Sequence, residues 1–150
     1  MRIDELRGQL YTIDGERVLL QAEVVPSQFP VVPAEPVAMK IAAVGGADWM
    51  YDEIDGTGQK GVTGGVGLNN IGLVVRVKGQ YWPRDQTMFM VSDGSPTLLK
   101  CLLPPGVEID PLWTAGMNMT VTGVCSTEMV NEDLFPVVRV RTQGDIVAHL

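Results

Sequence analysis

The sequence predicts an all-β protein. Two observations carry this. Short alternating apolar runs recur from Ile71 onward, each ended by a turn. Among 150 residues there are 17 Gly and 10 Pro, and no long stretch with helical periodicity. Hydrophobic residues make up 45% and charged residues 19%, a globular composition with material for a real core.

The clearest strand comes first in this region. In Leu73-Val74-Val75-Arg76-Val77-Lys78-Gly79, Leu73, Val75 and Val77 face one way and Arg76 and Lys78 the other. A second strand, Thr87-Met88-Phe89-Met90-Val91-Ser92, runs into the turn Asp93-Gly94-Ser95. The third covers residues 97–103 and stops at Pro104-Pro105-Gly106. The fourth covers 119–126 and the fifth is Val137-Val138-Arg139-Val140-Arg141, with Gly144-Asp145-Ile146-Val147 closing the chain. Five short strands of this kind suggest a small closed barrel, because closure removes exposed edges.

Residues 1–25 read as a β-hairpin. Runs at 6–13 and 17–25 flank Asp14-Gly15, a pair that accepts the positive φ of a tight hairpin turn. A lone hairpin is barely stable in water, so this one must pack on something. Residues 26–70 connect it to the barrel region at 71–150. They begin with Pro26, Pro30, Pro33 and Pro36, which cannot donate a regular ladder, and continue as a glycine-rich loop through Gly45, Gly46, Gly56, Gly58, Gly61, Gly64, Gly65 and Gly67. Trp49 and Tyr51 are the expected anchors of that loop through aromatic burial.

The runs 73–79, Phe89-Met-Val-Ser-Asp-Gly-Ser95, Leu98-Leu-Lys-Cys-Leu-Leu103, Val121-Thr-Gly123 and Pro136-Val-Val-Arg-Val-Arg141 together resemble a bacterial OB-fold domain of the oligonucleotide/oligosaccharide-binding type. The resemblance covers residues 71–150. It implies a five-stranded OB-like barrel, although Pro104, Pro105 and Pro111 leave room for only a turn where such domains carry a helix between the third and fourth strands. It also implies a face for single-stranded nucleic acid or an oligosaccharide, with Tyr81, Trp82 and Phe89 as stacking residues and Arg76, Lys78, Arg84, Lys100, Arg139 and Arg141 as cations.

Residues 7–25 also match 122–140 in pattern. Arg7-Gly8 corresponds to Thr122-Gly123, and Asp14-Gly15 falls near Asn131-Glu132. The front of the chain therefore resembles the last two strands of such a barrel without the first three. Three readings stand open: padding on its own barrel, a remnant of a preceding barrel, or an element given to a neighbouring subunit.

Charge narrows the partners. A net charge of -7, from 18 carboxylates against 11 Lys and Arg, speaks against a general polyanion binder, since that affinity comes from cations releasing counterions. Nucleic acid is thus less favoured than a glycan. No apolar run approaches the ~18 residues of a membrane span. The N-terminus lacks a signal-peptide pattern, which leaves a cytoplasmic protein or a processed or partial product of an extracellular or cell-surface one.

Catalytic and metal motifs are missing from the pattern. His149, the only histidine, sits beside the C-terminus and reads as a solvated tail residue. Cys101 and Cys125 share the inward parity of their strands, as buried free thiols or as a disulfide; no C-x-x-C spacing suggests zinc. Asp48, Asp52, Glu53 and Asp55 lack the regular spacing of a calcium loop and read as a solvated acidic loop. Gly61-Val62-Thr63-Gly64-Gly65-Val66-Gly67 has no Gly-Lys-Ser/Thr ending, so no phosphate loop is expected. Asn118-Met119-Thr120 is an acceptor pattern for N-glycosylation. These readings lead to a non-enzymatic module without a cofactor, which associates with copies of itself, as an oligomer or filament, through its N-terminal hairpin.

Overall fold

The computed structural model describes residues 3–28 and 35–149. Residues 29–34 of the expected proline-rich connection lie outside them. Two sheets make up the chain. Strands β1 (Ile3–Ile13) and β2 (Glu16–Pro26) form a two-stranded antiparallel sheet. The other sheet has seven strands: β3 (Val37–Ala38), β4 (Val74–Pro83), β5 (Met88–Ser92), β6 (Leu99–Leu102), β7 (Asn118–Val130), β8 (Asp133–Arg139) and β9 (Ile146–His149).

In that sheet β4 pairs with β5, β5 with β6, β6 with β8, β8 with β7, and β7 again with β4. The β6–β8 and β3–β4 junctions are parallel; the others are antiparallel. The result is a barrel-like, mixed sheet whose longest strands bridge two neighbours. Gln80 of β4 marks the change of partner from β7 to β5, and Val124 of β7 marks the change from β4 to β8. Glycine stands beside each crossing. A Cβ on Gly79 would lie 2.5 Å from the Ser92 carbonyl oxygen, and one on Gly123 would lie 2.5 Å from both the Arg139 carbonyl oxygen and Val138 Cγ1. Only a residue without a side chain lets three backbones approach there.

Period-two alternation fills the interior. Val75, Val77 and Tyr81 of β4 point inward with Phe89, Val91, Leu99, Cys101, Met119, Val121, Cys125 and Val138. Arg76, Lys78, Gln80 and Trp82 take the outward positions of β4. Full burial of each large side chain contributes roughly 1.5–3 kcal/mol, so this cluster dominates stability. The connection just before the glycine-rich loop shares the same core: Ile41 and Val44, at the 3-10 turn Ile41–Ala43, are 0% and 2% exposed.

Some boundaries differ from the sequence reading. β8 begins at Asp133, ahead of the expected Val137, and runs through Pro136. Proline is tolerated because pairing with β6 starts only at Val137, so one edge of β8 is free of a ladder at residue 136. No helix fills residues 103–117, as the prolines there require. Trp49 does not anchor its loop by burial, being 60% exposed. Backbone pairing of Trp49 with Gln59 (2.8 and 2.9 Å) holds it instead. The loop folds so tightly on itself that a Cβ on Gly61 would lie 2.3 Å from the Ala47 carbonyl carbon, and one on Gly65 2.2 Å from the Gly46 carbonyl oxygen. That close approach explains its glycine content.

Candidate functional site

The hairpin of β1 and β2 is an arm. Neither strand pairs with the larger sheet, and at about 3.4 Å per residue its 11-residue strands span roughly 35 Å. β1 is exposed along its whole length and β2 from Leu20 onward.

Cross-strand register gives the arm two unlike faces. Leu6 lies opposite Val24, and Leu10 opposite Leu19. Leu19 and Val24 differ in parity along β2, so strict alternation would put them on opposite faces. A bulge across from Gly8, with Gln21 at φ 52°, inserts one extra residue and restores them to the same side. Gly8 makes room for this: a Cβ there would lie 2.9 Å from Leu19 Cγ. The opposite face is mixed, with Val25, Leu20 and Val18 across from Glu5, Gln9 and Tyr11. Glu5 accepts two hydrogen bonds from Arg7 (2.7 and 3.0 Å), and Tyr11 donates to Gln9 (2.8 Å).

Among the described residues, side-chain hydrogen bonds fasten the arm at its turn end. Thr127 Oγ1 donates to the Asp14 carbonyl (2.6 Å), and Gln59 Nε2 donates to the Gly15 carbonyl (2.7 Å) while its Oε1 accepts from the Arg17 amide (3.2 Å). Ser126, fully buried, donates to the Glu16 carboxylate and accepts from Arg139 Nε (3.0 Å). Gly15 sits against Leu134, whose Cδ1 would be 2.3 Å from an added Cβ. The arm therefore rests its tip on the β7–β8 hairpin, while β1 and the far part of β2 stay exposed.

Between arm and sheet lies an apolar cleft of about 620 Å³, lined by Leu10, Trp49, Leu68, Ile71 and Leu73, with Arg17 and Gln59 at its polar end. Leu10, Trp49, Leu68 and Leu73 are 59%, 60%, 89% and 50% exposed. The apolar face of the arm runs into this cleft, so Leu6, Val24, Leu10 and the cleft form one continuous exposed surface. Such patches on a folded protein mark contact sites.

The structure disperses the expected ligand face. Tyr81 and Phe89 are core residues, 1% and 0% exposed, with ring centroids 5.4 Å apart; Trp113 packs on Tyr81 at 5.9 Å. Their inward parity places them beyond reach of a stacking base, and burial raises the Tyr81 hydroxyl pKa. Lys100 is paired with Glu128 at 2.6 Å and Arg141 with Asp145 at 2.8 Å. Arg139 is held by Ser126 at the foot of the arm. Arg76, Lys78, Trp82 and Arg84 remain exposed, the first three on one face of β4.

Cys101 and Cys125 are both buried and both free. Each lies opposite Val138, from the two strands that flank β8. Two strand spacings separate them, roughly 8–10 Å between Cα atoms, beyond what a disulfide spans. Burial raises both thiols. Cys125 is pushed up to about 11, with the Glu16 charge adding to burial and the Gly45 amide opposing it; Cys101 goes higher still through burial alone.

The acidic loop residues turn inward on their own backbone. Asp48 accepts from the Gly61 amide (2.7 Å), Asp52 from Ile54 (2.8 Å) and Asp55 from Thr57 (2.8 Å). The hydrogen bonds from Thr57 hold Asp55 below the usual carboxylate range. No cluster of His, Cys, Asp and Glu able to hold a metal occurs among the described residues. Asn118 is exposed at the start of β7, and His149 is part of β9, its Nε2 2.8 Å from Thr120 Oγ1. No helix is long and apolar enough to cross a membrane among the described residues. Neither a protein-family model nor a curated protein matches the chain.

The arm's foot was the element that sequence reading missed. Gln59, Ser126 and Thr127 carry no motif, and only the isolated apolar-to-polar change at Ser126-Thr127 in a strand of inward residues could have signalled them.

Proposed function

We propose that this chain is a non-enzymatic assembly subunit: an OB-like five-stranded barrel that associates with copies of itself through the β1–β2 arm. The observation that carries the reading is the apolar face Leu6, Leu10, Leu19 and Val24, displayed on a two-stranded sheet that lacks a third layer. Two strands with an open apolar face are marginal in water, and a partner surface supplies what they lack. The ring of strand pairings from β4 back to β4, with one parallel junction at β6–β8, supports the OB-like barrel.

A second copy fits as the partner because the chain already contains a hairpin of this kind seated on a sheet. The β1–β2 turn has Asp14 and Gly15 at φ 48° and 75°; the β7–β8 turn has Asn131 and Glu132 at φ 50° and 73°. Both are two-residue left-handed turns whose strands carry a glycine close against the partner strand, Gly8 and Gly123. An arm offered to a neighbour is a head-to-tail contact, which extends into a filament unless the rotation closes a ring. Sedimentation velocity over a broad concentration range tests the reading. Concentration-dependent association is the expected result, and a chain that stays monomeric at the highest concentration refutes it.

A further inference from the structure

A second surface lies on β4, away from the arm. A cleft of about 530 Å³ is lined by Lys40, Arg76, Lys78, Asp93, Gly94 and Ser95, together with the backbone neighbours Ala38 and Met39. Its walls are fixed. Met39 donates its amide to the Arg76 carbonyl (3.0 Å), continuing the parallel β3–β4 register, and Ile41 donates its amide to Asp93 Oδ2 (2.9 Å). Those bonds set the exposed Lys40 beside the exposed Arg76 and Lys78. No carboxylate forms an ion pair with any of these cations among the described residues. The lone acid, Asp93, has both oxygens occupied, one by Ile41 and the other by the Ser95 amide (3.1 Å). An excess of positive charge thus gathers in one cleft of a chain whose net charge is -7.

The surroundings are rich in groups that bind sugars. Lys78 and Gln80 lie opposite Thr120 and Asn118 of β7, and Arg76 Nε donates to the buried Thr122 hydroxyl (3.4 Å). Thr120 meets His149, and Trp82, 44% exposed, ends the same outward row of β4 about 13 Å beyond Lys78. We propose that this face binds an acidic glycan chain, with Arg76, Lys78 and Lys40 on a uronate carboxylate and the Trp82 ring under a sugar further along. Hydroxyls and amides line the path between, where a sugar chain presents hydroxyl groups. Nucleic acid fits less well, because the row has one exposed ring where single strands are stacked on several.

Titration calorimetry of the full chain at low salt with oligogalacturonate tests this, beside a neutral gluco-oligosaccharide and an oligo-thymidylate of equal length. Binding of the uronate alone is expected. R76A/K78A should weaken it by about tenfold or more, K40A and W82A by less, and K60A, outside the cleft on the glycine-rich loop, should leave it unchanged. Circular dichroism checks the fold, and K40A on the loop keeps the test available if the double variant unfolds. Absence of uronate binding at low salt overturns the proposal. So does tighter binding of the oligonucleotide, or uronate binding indifferent to Arg76, Lys78 and Lys40. None of these outcomes depends on the arm.

Discussion

Truncating the apolar face of the arm with L6A/L10A should weaken association while leaving the barrel-like sheet intact. Leu6 is 50% exposed and Leu10 59% exposed. Burying a whole leucine is worth roughly 1.5–3 kcal/mol, so covering the remaining half of each contributes about 1–1.5 kcal/mol. Alanine at both positions removes most of that, about 2 kcal/mol per arm, and each 1.4 kcal/mol is tenfold in Kd. Association should therefore weaken at least about thirtyfold. Neither side chain belongs to the buried core, so the urea midpoint of the sheet should hold within error. Sedimentation velocity of parent and variant at matched concentrations reads the first quantity, and urea unfolding the second. Equal self-association of the two would refute the reasoning, because the partner would then lie elsewhere.

Further outcomes follow from other parts of the structure. G123A should destabilise the chain by about 1–3 kcal/mol in urea, because its Cβ must displace the Arg139 backbone 2.5 Å away. Q59A, which loses bonds to both Gly15 and Arg17, should speed hydrogen exchange at the arm's turn while the β4 and β7 amides stay protected. At Asp145 burial opposes ionisation, but hydrogen bonds from the Arg141 side chain and amide, and from Thr142, outweigh it and hold the pKa low. That contribution is complete above the unfolded value of about 4 and is lost as pH falls through the lower folded value. D145N should thus be less stable at pH 7 and lose less on acidification than the parent, as followed by urea midpoints across pH. Both cysteines should resist a thiol reagent at pH 8 until the chain unfolds, since burial raises Cys101 and Cys125 alike.

Strand identity was largely legible because alternation is local. Residues 73–79 show it without interruption, and β4 contains them from Val74. The same parity put Tyr81 and Phe89 inside once the strands were placed, yet their chemistry alone had suggested a stacking face. Cys101 and Cys125 were rightly read as inward, but parity does not say which strands are neighbours. Their separation across β8 depends on the β6–β8 and β7–β8 pairings, between residues far apart in the chain. The bulge at Gln21 was equally hidden. Strict alternation along β2 would put Leu19 and Val24 on opposite faces; only the register with β1 gathers them on one.

By itself the sequence determined an all-β chain, its turns, most of its inward residues and the presence of an N-terminal hairpin. These follow from local steric preferences and from period-two patterning, which neighbours in the chain suffice to express. Tertiary structure alone decided that the hairpin stands off its own sheet, fastened at Asp14, Gly15 and Glu16, and that Lys40 joins Arg76 and Lys78 in one cleft. Both are contacts between segments distant in sequence, and their geometry is set by which strands pair and in what register.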